Sequence, residues 1–328
     1  MSRLIERVTE HLAKPDPSMP RERLWQVRAK QVVIATGAIE RHMVFANNDR
    51  PGIMLASAAR TFLNHFGVAV GAKVGVYTAC DSAWHAAFDL KQAGVSVPAI
   101  VDVRSEPDPA LRARAKDLGI EVLAGQAVLD TSGSLRVKSM KVGKESGGAT
   151  RDIAIDALIM SAGWTPSVHM YSQSRGKVIW DEETERFLPG RNVQNCVSVG
   201  ACYGVDDLGD AVADAAKAGL DAAFAAGFED KTTWSAPEAE ARTSWAGSMM
   251  GSAGGAGPDT TVKAFVDFQN DVTAKDIRLA VREGMHSIEH VKRFTTNGMA
   301  TDQGKTCPTF TVWRLPPRCS TSRCRRWG

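Results

Sequence analysis

Two short apolar runs, VVIATG at 32–37 and CVSVGA at 196–201, each end on a glycine turn and bracket a stretch where strand and helix patterns alternate. Inside it, Lys73–Tyr77 reads as a strand, Ser82–Gln92 as a helix stopping at Gly94, and Val97–Val103 as a second strand. The helix DPALRARAKDLG and the strand IEVLAG follow. A meander with a Gly-rich turn and one last apolar strand, ending in SAG, complete the stretch. Alternation of this kind demands an open, mainly parallel sheet covered by helices.

The flanks are simpler. Residues 2–12 read as a short helix, and ERLWQVRAKQVVIATG as two strands leading into the Thr36-Gly37 turn. A helix from about Met54 to His65 is closed by Gly67. A Trp-rich polar stretch precedes the second glycine turn, and an Ala-rich helix from about Gly209 follows it. SMMGSAGGAGPDTT, residues 248–261, is a small-residue linker. Beyond it lie two helices separated by Gly284, the first opening with a capping-box pair, Thr273 and Asp276.

Strand-end glycines let a ligand approach the backbone, and the N-terminus of the helix after Val199-Gly200-Ala201 is suited to an anion. One such strand before an inserted β-α-β unit and one after it is the layout of two-domain flavin and pyridine-nucleotide enzymes. A dinucleotide fingerprint needs G-x-G-x-x-G at its first turn. None precedes Val32, since residues 1–31 contain no glycine. The corresponding turn of the inserted unit reads Thr78-Ala79-Cys80-Asp81-Ser82-Ala83, which keeps only a small third residue, Ala83. Asp102 stands where a ribose-binding acid would. Two alternatives follow: a modified nucleotide site, or a nucleotide-type fold that has lost its phosphate loop and acts as scaffold. The residues favour the second.

Other chemistry is sparse. His286 and His290 have metal-ligand spacing but no third ligand nearby, so a solvated face is the better reading. There is no C-x-x-C and no G-x-S-x-G. Cys80, Cys196 and Cys202 read as buried structural thiols, and Trp164 as a packing or rim aromatic. The formal charge of +3 comes from the tail: residues 307–328 hold five arginines and no acid, leaving −2 for the body. A nucleic-acid reading would rest on that tail alone. No apolar run approaches a membrane span or a signal-peptide core, which sets a cytoplasmic expectation.

RLWQVRAKQVVIATGAIER, VFANNDRPGIMLASAARTFLNHFGV, TACDSAWHAAFDL, SAGWTPSVHMYSQSRGKVIWDE and FVDFQNDVTAKDIRLAVREGMHSIEHVKRFTTNGMATDQGKT together resemble the alpha subunits of heterotetrameric sarcosine oxidases, over nearly all of residues 1–306. The resemblance implies a two-dinucleotide-binding-domain α/β flavoprotein fold of the disulfide-reductase type. It implies an oxidoreductase that demethylates sarcosine to glycine with oxygen, forms hydrogen peroxide and passes the one-carbon unit to tetrahydrofolate or releases formaldehyde. NAD would sit on this subunit, FMN and FAD would be held with the beta subunit, and gamma and delta subunits would complete the assembly. Carried over onto this chain, the NAD site keeps Thr36, Gly37, Gly200, Ala201, Asp206 and Leu208. No catalytic residue and no metal ligand is carried over. Gln269–Thr306 contains no cysteine, which excludes the cysteine-ligated iron–sulfur centre of some relatives there.

The expected organisation is a partial first dinucleotide-binding domain at 1–72, an inserted second one at 73–157, a return to the first at 158–228, a linker at 229–261, a small helical segment at 262–306 and a non-family tail at 307–328. The phosphate-loop region and the folate domain are expected to be missing. The abrupt change to an Arg/Pro/Cys-rich composition sets the expectation of a frameshift at or just before Cys307. Two other readings stay open: a subunit of another amine or imino-acid oxidoreductase, such as an opine or cyanide-forming dehydrogenase, and a non-catalytic remnant or interaction scaffold.

Overall fold

The computed structural model describes residues 2–184, 186–228, 236–237, 262–285 and 287–306. The linker at 248–261, the tail with its cysteines and its expected frameshift, and His286 lie outside them. The chain opens with a hairpin, not the expected helix at 2–12: β1 (Ser2–Arg7) pairs antiparallel with β2 (Glu22–Val27). A stretch this short is marginal as a helix unless packing supports it, and here most of its side chains are exposed. The hairpin instead sets Leu4 against Trp25 and Ile5 against Leu24. Glu6 accepts from Arg23 at 3.0 Å and from the Trp25 indole at 2.8 Å.

β3 (Val32–Ile34) and β4 (Ala38–Glu40) flank the turn at Gly37, whose φ is +68°. β5 (Ile53–Leu55) leads into α1 (Ala56–Phe66), closed by Gly67 in the left-handed region as expected. Next come β6 (Val74–Thr78), α2 (Ser82–Gln92), β7 (Ala99–Asp102), α3 (Pro109–Asp117) and β8 (Glu121–Ala124). The meander is β9 (Ala127–Ser132), β10 (Ser139–Gly143) and β11 (Thr150–Ala154), followed by β12 (Ala157–Ser161). Five of these strands form one parallel sheet in the order β5-β12-β6-β7-β8.

That sheet is covered on both faces, which is why its strands are apolar throughout rather than alternating. Val74, Val76, Ile100 and Ile159 pack with Trp84, Phe88 and Leu90 of α2. Their sequence neighbours Tyr77, Val101, Leu158 and Met160 face the meander, against Val128, Met140, Val142 and Ile153. Because β5 pairs with β12 in register Leu158↔Ile53, the unit takes in residues on both sides of 73–157 and runs from Ile53 to Ser161.

β13 (Trp164–Pro166) runs antiparallel to β4, so the chain enters and leaves the sheet unit on two adjacent strands. α4 (His169–Gln173) and a hairpin of β14 (Val178–Asp181) and β15 (Arg186–Pro189) precede β16 (Cys196–Ser198). β16 lies parallel to β3, joining the two apolar runs that bracket the insert. After a 3-10 turn at Gly200–Tyr203 comes α5 (Leu208–Ala225).

The remaining segment holds β17 (Phe265–Asp267), β18 (Val272–Thr273), α6 (Ala274–Arg282) and α7 (Ile288–Thr295). The expected capping box is formed, with the Thr273 amide donating to Asp276 at 2.9 Å. Ile277, Ala280, Val272, Val266 and Val291 build a small core that also encloses Val44. The buried Asn48 amide secures the attachment. It donates to the Phe265 carbonyl at 2.9 Å and the Met43 carbonyl at 3.2 Å, and accepts from the Phe265 amide at 2.8 Å. Among the described residues no helix is long and apolar enough to cross a membrane.

Asn48→Ala leaves two carbonyls and one amide of a buried junction unpaired. A loss of about 2–4 kcal/mol in unfolding free energy is expected, read by urea denaturation monitored by circular dichroism. A change under about 0.5 kcal/mol, the range of ordinary surface substitutions, would show that the segment does not depend on this residue.

Candidate functional site

Two strand-end turns are candidates for a nucleotide, and the first is closed by its own side chains. At the end of β6, the Ala79 amide donates to the Ser161 carbonyl at 3.0 Å and the Cys80 amide to Thr78 Oγ1 at 3.0 Å. Those are the N–H groups that a phosphate loop would offer. The Cys80 side chain is fully buried, with Sγ 3.1 Å from Ser161 Oγ and 3.2 Å from Ser82 Oγ. Ser82 Oγ also accepts from the Trp164 indole at 3.0 Å, across from the returning strand β13. Trp164 is thus the packing aromatic its sequence context indicates.

Asp102 is not available to a ribose. It has no solvent exposure, and its carboxylate accepts from the Trp84 indole at 2.9 Å and from the Arg104 amide, Nε and Nη2 at 2.9, 3.0 and 2.7 Å. Arg104 reaches on to Asp81 at 2.7 Å. Burial works against the Arg104 charge, but its bonds to Asp102 and Asp81 outweigh that and hold it more firmly protonated than usual. Burial raises the Asp81 pKa despite the opposing pull of Arg104. The spacing that marks Asp102 as a ribose ligand serves an internal ion network instead. These residues do not fit a dinucleotide.

The second candidate is the pair of turns after β3 and β16. The Val199 amide donates to the Ile34 carbonyl at 3.0 Å, so Thr36-Gly37 and Gly200-Ala201 follow adjacent parallel strands at one sheet end, where open α/β sheets bind ligands. Thr36 Oγ1 donates to the Ser167 carbonyl at 2.7 Å, and the Ser167 amide returns a bond to the Gly37 carbonyl at 2.9 Å. A Cβ at Gly37 would meet nothing within 4 Å, so the space above this turn is open. Gly200 also has positive φ, +65°, and its amide donates to Asp214 of α5 at 3.1 Å.

The other two expected residues are less accommodating. Asp206 forms a buried ion pair with Arg186 at 2.8 Å, and Leu208 is an exposed residue at the start of α5. Asp207 caps that helix, accepting from the Gly209 and Asp210 amides at 2.8 and 3.1 Å. The anion site expected at this N-terminus is therefore filled by the chain's own carboxylate. The fit to a dinucleotide is partial: the Gly37 turn is open, while the Gly200 amide is spent on Asp214, a Cβ there would touch Ala211 at 3.8 Å, and the nearby guanidinium of Arg186 is committed to Asp206.

A third feature escaped the sequence reading. A cavity of about 330 Å³ lies between β4, β5, β12 and the 262–306 segment, lined by Glu40, His42, Asn48, Ile53, Met54 and Phe268 among others. Glu40 and His42 are both buried. The Ser57 amide donates to Glu40 Oε2 at 3.0 Å, and the Ser57 hydroxyl meets the same oxygen, while Glu40 Oε1 is buried without a partner. His42 packs edge-on against Phe268 at 4.9 Å between ring centroids, and its Nε2 is buried without a partner. Burial raises the Glu40 carboxyl pKa against the pull of Ser57 and Ser161. Burial, with the Arg41 charge adding to it, lowers His42 to about 4 against the opposing pull of the Phe265 and Thr306 backbones and of the Asp267 charge. The signal was there in Glu40-Arg41-His42, three polar residues in an otherwise apolar segment.

Cys80, Cys196 and Cys202 are buried free thiols. No cluster of metal ligands exists among the described residues.

The family profile described as "Sarcosine oxidase A3 domain" matches residues 261–314. The chain is 40% identical over 314 residues to "Sarcosine oxidase subunit alpha" of Corynebacterium sp. (strain P-1), covering 92% of this chain and 32% of that protein. It is 39% identical over 306 residues to the protein of the same name from Rhizobium meliloti (strain 1021), covering 92% and 29%. The chain thus spans about a third of the length of the curated relatives it matches. Among solved structures, L-proline dehydrogenase from P. horikoshii superposes with a TM-score of 0.61 at 20% identity, over 91% of this chain and 55% of that one. That similarity shows the fold alone, an α/β fold with a parallel sheet shared with that dehydrogenase.

The pKa of His42 gives a signed expectation. Its folded value, about 4, lies below the ordinary 6.5, so between these values the unfolded chain binds more protons. The neutral ring's contribution is complete above pH 6.5 and is lost as pH falls towards 4. In His42→Gln the stability-against-pH slope in that window is expected to be shallower than in the parent, measured by urea titrations at stepped pH. Equal slopes would show that His42 titrates normally.

Proposed function

We propose, for a chain homologous over 92% of its length to a segment of sarcosine oxidase subunit alpha, that it serves as the dinucleotide-organising part of such a subunit. The identity of about 40% along nearly the whole chain carries the reading. On this proposal the complete enzyme oxidatively demethylates sarcosine to glycine, forms hydrogen peroxide, and hands the one-carbon unit to tetrahydrofolate or releases formaldehyde. FMN and FAD are held with a beta subunit, gamma and delta subunits complete the particle, and the site of action is the cytoplasm. The name "subunit alpha" already implies partner subunits. NAD supplies a nicotinamide able to accept or donate hydride when bound.

This chain's contribution is to bind and orient. The Thr36-Gly37 and Gly200-Ala201 turns present backbone to one face of a dinucleotide, with the Arg186–Asp206 pair and Leu208 beside them. The Ile53–Ser161 unit acts as scaffold, since its equivalent turn spends its amides and its acid internally. The expected division at 1–72, 73–157, 158–228, 229–261 and 262–306 is kept in order as our proposal, with the insert widened to the Ile53–Ser161 sheet unit, so that the partial first dinucleotide-binding domain ends before Ile53 and resumes after Ser161. A role in another imino-acid dehydrogenase is the second reading. The superposition on L-proline dehydrogenase favours it in fold only.

The purified chain is expected to show no flavin absorbance and to release far less than one NAD per chain on denaturation, quantified by mass spectrometry. Co-expressed with a sarcosine oxidase beta subunit, it is expected to co-purify with it. One NAD per isolated chain would contradict the placement of the weak site, and failure to co-purify would contradict the subunit role.

A further inference from the structure

The cavity beside β4 is a built pocket. Hydrogen bonding between the two crossing strands continues past β4, with the Arg41 amide donating to the Gly163 carbonyl at 2.9 Å and the Ala162 amide to the Arg41 carbonyl at 2.8 Å. In such an extended segment residues i and i+2 share a face. Glu40 and His42 therefore point one way and Arg41 the other. Both line the cavity, both are more than nine-tenths buried, and each holds one buried polar atom with no protein partner, Glu40 Oε1 and His42 Nε2. Buried polar atoms in folded proteins are almost always met by something.

We propose that this cavity binds a small ammonium ion with apolar substituents, whose N–H groups donate to Glu40 Oε1 and His42 Nε2. The lining carries acceptors and no lysine or arginine. Glu40 and Asn48 sit inside, Asp49 is exposed at the mouth, and Asp267 adds its field at His42. The Arg41 charge also acts on His42, from the other face of the strand. Ile53, Met54, Leu55, Met160 and Phe268 supply apolar walls for the substituents.

The same lining excludes other ligands. An anion would face the Glu40 and Asp49 carboxyls without a cation of its own. An amino-acid zwitterion would find a place for its ammonium and none for its carboxylate, so sarcosine itself does not fit. The volume, about 330 Å³, is room for on the order of ten waters at about 30 Å³ each, or for an amine of several carbons. The His42 ring, neutral near physiological pH because burial lowers it to about 4, is an acceptor for such a donor. The inference does not depend on the oxidase reading.

Isothermal titration of the full chain near neutral pH with diethylammonium chloride, which carries two N–H donors, tests it. Saturable binding of one ion per chain is expected, with no binding of acetate. Glu40→Gln keeps the shape and the acceptor for Ser57 but trades a charge-assisted bond for a neutral one, so affinity is expected to fall about tenfold or more. No saturable heat with the parent chain, or equal affinity in folded Glu40→Gln, would overturn the proposal. If Glu40→Gln does not fold, ¹⁵N NMR of the parent's His42 decides. A saturable Nε2 shift with diethylammonium and none with acetate supports the site, and an unmoved resonance overturns it.

Discussion

The Asp102 carboxylate has no contact with water, and a buried charge of that kind persists only when donors surround it. Here Trp84 of α2 supplies one and the Arg104 side chain and amide supply the rest. The consequences run outward. The indole bond ties α2 to the end of β7. Arg104 bridges to Asp81 at the start of the same helix, so the turn between β6 and α2 is held from both sides. Cys80 fills the space where a bare glycine would let phosphate approach, and Thr78, Ser82 and Ser161 satisfy what remains. A nucleotide-type architecture is thereby kept while its nucleotide contact is replaced by internal polar packing. Removing one partner from such a network costs about 3–5 kcal/mol, so reopening the turn would compromise the sheet unit that supports everything else.

The crossing strands β4 and β13 carry the second constraint. They join the closed unit to the pair β3 and β16, and Trp164 on β13 reaches back to Ser82 of the closed turn. The same strand that connects the units also places Glu40 and His42 on one face. The segment from Ala264 onward then packs over Val44 and Asn48 and closes the cavity with Phe268 and Thr306. A linker-distant piece of chain thus completes a pocket begun by the first apolar run.

Much of this was legible in the residues. The helix at Ser82–Gln92 has the bounds its pattern indicates, with Gly94 in the left-handed region just past its end. The Thr273/Asp276 box and the Gly67 stop are equally local signals, and local signals survive tertiary packing. What failed was non-local. Residues 2–12 suit a short helix, but a strand partner fifteen or more residues on, Glu22–Val27, offers cross-strand bonds that a lone turn of helix lacks. Asp102 has the spacing of a ribose ligand, yet whether its carboxylate faces solvent or Trp84 depends on a rotamer and a neighbouring helix. Glu40 and His42 matter only because a segment more than two hundred residues later covers them. The motif similarity to sarcosine oxidase alpha subunits, by contrast, lies in the sequence itself, and the 40% identity over 92% of the chain agrees with it.

The central proposal is that any dinucleotide affinity resides at the turns after β3 and β16 and not at the turn after β6. Amide hydrogen exchange of the chain with and without saturating NAD tests it directly. Added protection is predicted at residues 35–37 and 199–208, with residues 78–83 unchanged. Protection confined to 78–83 would contradict the account, because those amides would then have exchanged their internal partners for phosphate.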